Sequence, residues 1–112
     1  MRRKLMHSLG LVLVVGLLAA AAESAAPASA LAACGSAACA FSQTNFEGSQ
    51  LSVGCSNNGQ PFSGRSAINN CGNNMMKLFN NGSEVACLNP GGQRPNPGFF
   101  TSITVSSPGV RC

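Results

Sequence analysis

The sequence predicts an all-β domain, a sandwich or barrel stabilised by disulfides. Short strand-like stretches recur every ten to fifteen residues or so along residues 38–105, with Gly, Asn, Ser and Pro clusters between them. No stretch keeps a sustained helical period, so an architecture built from strands is expected. The 112-residue chain also carries six cysteines, Cys34, Cys39, Cys55, Cys71, Cys87 and Cys112. A chain this short buries a marginal core, and secreted domains of that size add disulfides.

The first thirty residues read as a signal peptide. Arg2, Arg3 and Lys4 form a basic start, residues 9–22 are almost wholly apolar, and Ala28-Ser29-Ala30 is a small-residue cleavage signature. The apolar run is too short to span a bilayer comfortably. Cleavage after Ala30 leaves one domain, 31–112, exported to the medium. A competing reading is a lipid anchor on Cys34, because Leu31-Ala32-Ala33-Cys34 resembles a bacterial lipobox. That site lies far beyond the apolar run, past Glu23 and Pro27, and using it leaves an odd number of cysteines for pairing.

Residues 38–42 are the first apolar segment. Residues 41–48, Phe-Ser-Gln-Thr-Asn-Phe-Glu-Gly, then place two rings five apart. On a straight strand an odd spacing puts them on opposite faces. Gln43-Thr44-Asn45 supplies turn chemistry and Gly48 can take positive φ, so the stretch predicts a folded corner with both rings turned inward. Residues 50–54 alternate through Leu51 and Val53 as a half-buried strand does. Residues 55–64 read as a loop anchored by Phe62, residues 66–69 as a short strand around Ile68, and residues 71–74 as a turn. Residues 75–79 and 84–88 flank Asn80-Asn81-Gly82-Ser83, and Asn-Gly between apolar runs predicts a hairpin. The glycosylation pattern Asn81-Gly82-Ser83 falls on that turn. Residues 89–98, with three prolines, read as a loop, and residues 99–105 as a β-branched strand. Met75-Met76 and Phe99-Phe100 each send one side chain inward and one outward.

Six cysteines allow fifteen connectivities. The expected set is sequential, Cys34 with Cys39, Cys55 with Cys71 and Cys87 with Cys112. Each bridge contributes about 2–4 kcal/mol.

Charge and composition exclude much chemistry. Beyond the leader stand Arg65, Lys77, Arg94 and Arg111 against Glu47 and Glu84, too scattered a set for a nucleic-acid or membrane patch. The sole histidine, His7, lies in the leader, and the sequence holds no Asp and no Tyr. No Ser-His-Asp or Cys-His arrangement can be assembled, and two glutamates are a poor basis for acid–base work. The protein is expected not to be an enzyme. Cofactors and metals are expected to be none, since the cysteine spacing does not suit zinc and hard oxygen ligands are scarce.

Phe41, Phe46 and Gly48 stand in the places of the F-x-x-x-x-F-x-G signature, so the corner resembles that of a βγ-crystallin Greek key. The resemblance implies an all-β, βγ-crystallin-like Greek-key sandwich. It also implies that a serine from a later strand ties its hydroxyl to the corner: Ser66 in the first motif, Ser102 in the second. The second half has no aromatic pair; Leu78, Asn80 and Gly82 stand in the signature region. The whole chain is similar to small secreted proteins of the streptomycete metalloproteinase-inhibitor type. That likeness rests on the leader, the Cys34/Cys39 pair, the Ser-Ala-Ile-Asn-Asn step at 66–70 and Cys-Leu-Asn-Pro-Gly-Gly at 87–92. It implies a peptidase inhibitor, with an extracellular protease as partner, and a monomer is expected. Six-cysteine plant antimicrobial proteins share the fold, which keeps an antimicrobial or cell-wall-binding role open, as well as a structural domain without inhibitory activity. The calcium motif of βγ-crystallins is not matched, because Pro97-Gly98 precede Thr101-Ser102 where acidic residues would stand.

The candidate working surface is the proline-rich loop, with Cys87, Leu88, Asn89, Pro90, Gln93, Arg94, Pro95 and Asn96 as its residues. Three prolines restrict it, so little entropy is lost on docking. Leu88, next to a tethered Cys87, supplies the apolar residue that thermolysin-type enzymes favour after the scissile bond. The alternative is a plain connection stiffened against proteolysis.

Overall fold

A computed structural model of the protein describes residues 25–112. Residues 1–24, most of the expected leader, lie outside the described residues. In chain order come α1 (Ala28–Cys34), β1 (Ala38–Gln43), a 3-10 turn (Thr44–Phe46), β2 (Glu47–Val53), β3 (Asn58–Gly64), β4 (Ser66–Asn69), β5 (Met76–Asn80), β6 (Ser83–Leu88), β7 (Gln93–Arg94) and β8 (Phe100–Val105). They form two four-stranded sheets, ordered β2-β1-β4-β7 and β3-β8-β5-β6. All the pairings are antiparallel. The all-β expectation holds. Each half of the chain lends its third strand to the sheet of the other: β3 joins β8, and β7 joins β4.

Alternation along the strands sorts the side chains into two cores. Between the sheets lie Ala38, Ala40, Val53, Ala67, Met76, Leu78, Leu88, Phe100, Ile103 and Val105, with Leu51 and Phe62 packed at the margin. The opposite face of the first sheet carries Cys39, Phe41 and Ile68, and these pack with Phe46 and with Ala26, Ala30 and Cys34 from α1 and the segment before it. Strands β1 and β4 are therefore covered on both faces, which is why Ser66, Ala67, Ile68 and Asn69 are all buried. Phe41 and Phe46 do share a core as expected, but it is the one beneath the helix. Of the paired residues, Met76 and Phe100 turn inward while Phe99 stays exposed.

Three elements depart from the sequence reading. Residues 58–64, expected as loop, form β3, paired with β8 from Asn58↔Val105 to Gly64↔Phe100. Its pattern of exposure is that of a sheet edge, where Pro61 needs no donor toward solvent. Gly64 has no room for a side chain, since a Cβ there would sit 2.5 Å from Phe100 Cζ. Residues 93–94, expected as loop, form β7. Residues 28–34 form a helix where only leader and linker were expected. Its alanines favour helix, Pro27 precedes it, and Gly35 at φ +63° closes it by donating to Leu31 O and Ala32 O. Seven residues are too few for helical periodicity to register.

All three expected disulfides are present: Cys34–Cys39, Cys55–Cys71 and Cys87–Cys112. The Asn81-Gly82 hairpin is present too. Asn81 has φ +50° and Gly82 φ +88°, as the two central residues of a type I′ turn require.

Candidate binding loop and the corner beside it

The corner after β1 is held by one hydroxyl. Ser66, fully buried, donates from Oγ to Gln43 O at 2.6 Å and accepts the Phe46 N–H at 2.9 Å. The bond matters because Phe46 has φ +60°, a region that costs a bulky residue about 1–3 kcal/mol. Against that stand burial of its ring, worth about 1.5–3 kcal/mol, and an edge-to-face contact with Phe41 at 5.9 Å and 85°. The contact adds about 0.5–1.5 kcal/mol. Burial, pairing and the Ser66 bond together outweigh the strain. Gly48 follows with φ +84°, and a Cβ there would run into the Ser42 hydroxyl.

The corresponding contact in the second half belongs to Thr101 rather than to Ser102. Thr101 Oγ1 accepts the Asn81 N–H at 2.9 Å and lies 3.4 Å from Phe79 O. Ser102 sits opposite Phe79 on β5 and Pro61 on β3. The hairpin reaches the side chain on one side of β8, and that side is Thr101.

The proline-rich segment 89–98 is clasped from Asn89 to Pro95. Asn89 O accepts the Gly92 N–H at 2.8 Å, with Pro90 and Gly91 (φ +85°) as the central residues of a type II turn. Gly91 N–H donates to Asn69 O at 2.8 Å, and Asn69 N–H donates to Gly92 O at 2.9 Å. The chain then pairs with β4 through Ile68↔Gln93 and Ala67↔Arg94. Pro95 O accepts the Asn45 N–H at 2.9 Å, so the aromatic corner and the loop, fifty residues apart in sequence, are bonded neighbours. At the base, Asn89 Oδ1 accepts the Cys112 N–H at 2.9 Å beside the Cys87–Cys112 bridge. The stiffness expected from prolines is thus supplied as much by the ladder to β4.

Asn69 is the organising residue that sequence reasoning missed. Fully buried, its Nδ2 donates to Asn74 O and Leu88 O at 2.9 Å each, and its Oδ1 accepts the Cys71 N–H at 3.0 Å. Its side-chain polar groups are paired, as burial demands. The only sequence signal was an asparagine closing an otherwise buried strand.

The predicted loop residues divide between surface and interior. Asn89, Arg94 and Asn96 are exposed, while Pro90, Gln93 and Pro95 are half-buried and Cys87 is half-buried within β6. Leu88 does not fit the role expected of it. It is 2 % exposed and belongs to the inter-sheet core, so its side chain cannot enter a protease cleft while the domain stays folded. The apolar group displayed near the loop is instead Phe99, 39 % exposed, with the Arg65 guanidinium 5.0 Å from its ring centre.

The acidic residues lie apart. Glu47 opens β2 in one sheet, while Glu84 in the other pairs with Lys77 at 3.2 Å. Among the described residues no three His, Cys, Asp or Glu side chains come together. A groove of about 340 Å³ lies on the second sheet, lined by Asn57, Asn58, Met75, Lys77, Thr104 and Ser106, and includes none of the loop residues. No family model, curated protein or solved structure matches the chain.

Proposed function

We propose that the protein is a secreted, disulfide-locked binding protein of the peptidase-inhibitor type, acting on an extracellular metalloprotease through the clasped loop. The observation that carries this reading is the fastening of 89–98 to Asn69, to β4, to Asn45 and to Cys112, which leaves Arg94 and Asn96 displayed on a backbone with little freedom to lose. Because Leu88 is buried, the contact is assigned to the stretch 94–96 with Phe99 beside it, not to the Cys87-Leu88 bond. Proline at 95 and 97 flanks Asn96 and disfavours cleavage of the bound segment. The three disulfides accord with an oxidising, extracellular site of action.

Two features support the βγ-crystallin-like Greek-key reading of the fold. One is the exchange of third strands between the halves. The other is the tie between a late-strand hydroxyl and each corner. The reading remains that of a binder and not an enzyme.

The test is a titration of a thermolysin-type enzyme with the folded, disulfide-intact protein. Stoichiometric loss of peptide cleavage is expected, weakened at least tenfold in the Arg94→Ala/Asn96→Ala variant, a change of about 1.4 kcal/mol. Undiminished cleavage at molar excess contradicts the reading and leaves a cell-wall-binding or structural role.

A further inference from the structure

The signature Ala28-Ser29-Ala30 makes Leu31 the expected first residue of the mature chain. In the structure that cut falls inside α1, whose residues Ala28–Cys34 form one continuous helix. The residues it would remove are fastened to the domain. Ala26 and Ala30 are each 8 % exposed and pack in the core with Cys34, Cys39, Phe41, Phe46 and Ile68. Ala26 N–H donates to Gln93 Oε1 at 2.7 Å, a contact across 67 positions in the chain. Pro27 O accepts the Ala30 and Leu31 N–H groups at 3.0 and 3.1 Å. The far end of the helix is held as well, with Asn70 Nδ2 donating to Gly35 O at 2.8 Å and Gln50 Nε2 to Ala33 O at 3.3 Å. A lipid on Cys34 meets a further obstacle. Its thioether would need the sulfur that the Cys34–Cys39 bridge occupies.

We propose that the leader is cut upstream of Ala25 and that residues 25–34 stay in the secreted protein as a docked cover over the outer face of the first sheet. Ala20-Ala21-Ala22 offers small residues at both required positions where the apolar run ends, which assigns the Ala22-Glu23 bond as the site. Hydrolysis there by a signal peptidase consumes one water and breaks one amide, leaving the Ala22 carboxylate on the leader and a free amine on Glu23. The cover removes Phe41, Phe46 and Ile68 from water and completes the corner on which the loop leans through Asn45.

Expression of the full precursor in a secreting bacterium, with the mass of the unreduced product read from the medium, tests this. The expected product begins at Glu23 and carries three disulfides; any start at or before Ala25 keeps the cover. Ala28 is exposed and occupies the first small position of the downstream signature, so A28L should be processed identically. A product starting at Leu31, a lipidated Cys34, an unprocessed precursor or a block by A28L overturns the proposal. A chain made to begin at Leu31 should melt at least about 4 °C below one beginning at Glu23. Equal melting would also overturn it.

Discussion

The two halves of the molecule solve one problem with different chemistry. In each, a hairpin end is tied by a hydroxyl from the strand that closes its half: Ser66 to Gln43 and Phe46, Thr101 to Phe79 and Asn81. The first corner forces a phenylalanine to φ +60° and keeps it there through buried contacts. The second uses Asn81 and Gly82, residues that adopt positive φ at little cost, and its tie lies in contact with water. The first corner is held in a strained shape by buried tertiary contacts; the second has turn residues suited to its shape, with the Thr101 tie added. The second also contains Asn80 Oδ1, the buried side-chain oxygen without a partner among the described residues. The loop 89–98 is bonded to the first corner, through Asn45 and Pro95. The surface proposed to meet a protease thus rests on the corner whose shape depends on distant contacts.

That contrast can be broken by substitution. Phe46→Ala removes the buried ring and its partner contact, and should cost about 3–5 kcal/mol in equilibrium unfolding. Ser66→Ala leaves the buried Phe46 N–H without an acceptor and should cost about 1–3 kcal/mol. Thr101→Val removes the matching tie in the second half, where the Asn81 N–H can turn to water; about 0.5–1 kcal/mol is expected. Equal costs for the Ser66 and Thr101 variants would erase the distinction between the corners. Denaturant unfolding of the disulfide-intact proteins gives these values, with m unchanged if only the folded state is affected.

Legibility in the sequence follows the same division. The Asn81-Gly82 turn was readable because its chemistry is local, carried by two adjacent residues. The corner at 41–48 was readable as a fold-back, yet which core receives its rings depends on a helix, Ala28–Cys34, that straddles the expected end of the leader at Ala30. Strand β3 escaped because an edge strand with one solvated face needs few apolar residues, and Asn58-Gly59-Gln60-Pro61 looks like a turn cluster. Strand β7 is two residues long and exists because β4 and Asn69 hold it, neither of which is adjacent in sequence. Leu88 was assigned to the working surface because it is the apolar residue that follows the tethered Cys87, whereas its position on β6 points it into the core. The resemblance implied Ser102 for the second tie, one step of strand alternation away from the Thr101 that makes it, and that step is fixed only when register is known.

Native-state hydrogen exchange on the wild type and the Ser66→Ala variant tests most directly whether the first corner is held from a distance and supports the loop. In the wild type the Asn45, Phe46, Gly91 and Gly92 amides should be protected, since each donates to an acceptor in another part of the chain or within the clasped turn. In the variant Phe46 and Asn45 should lose protection first, followed by Gly91 and Gly92, while the amides of the β5–β6 hairpin keep theirs. Loss spread evenly over both hairpins, or an unchanged Asn45 and Phe46, would contradict the account.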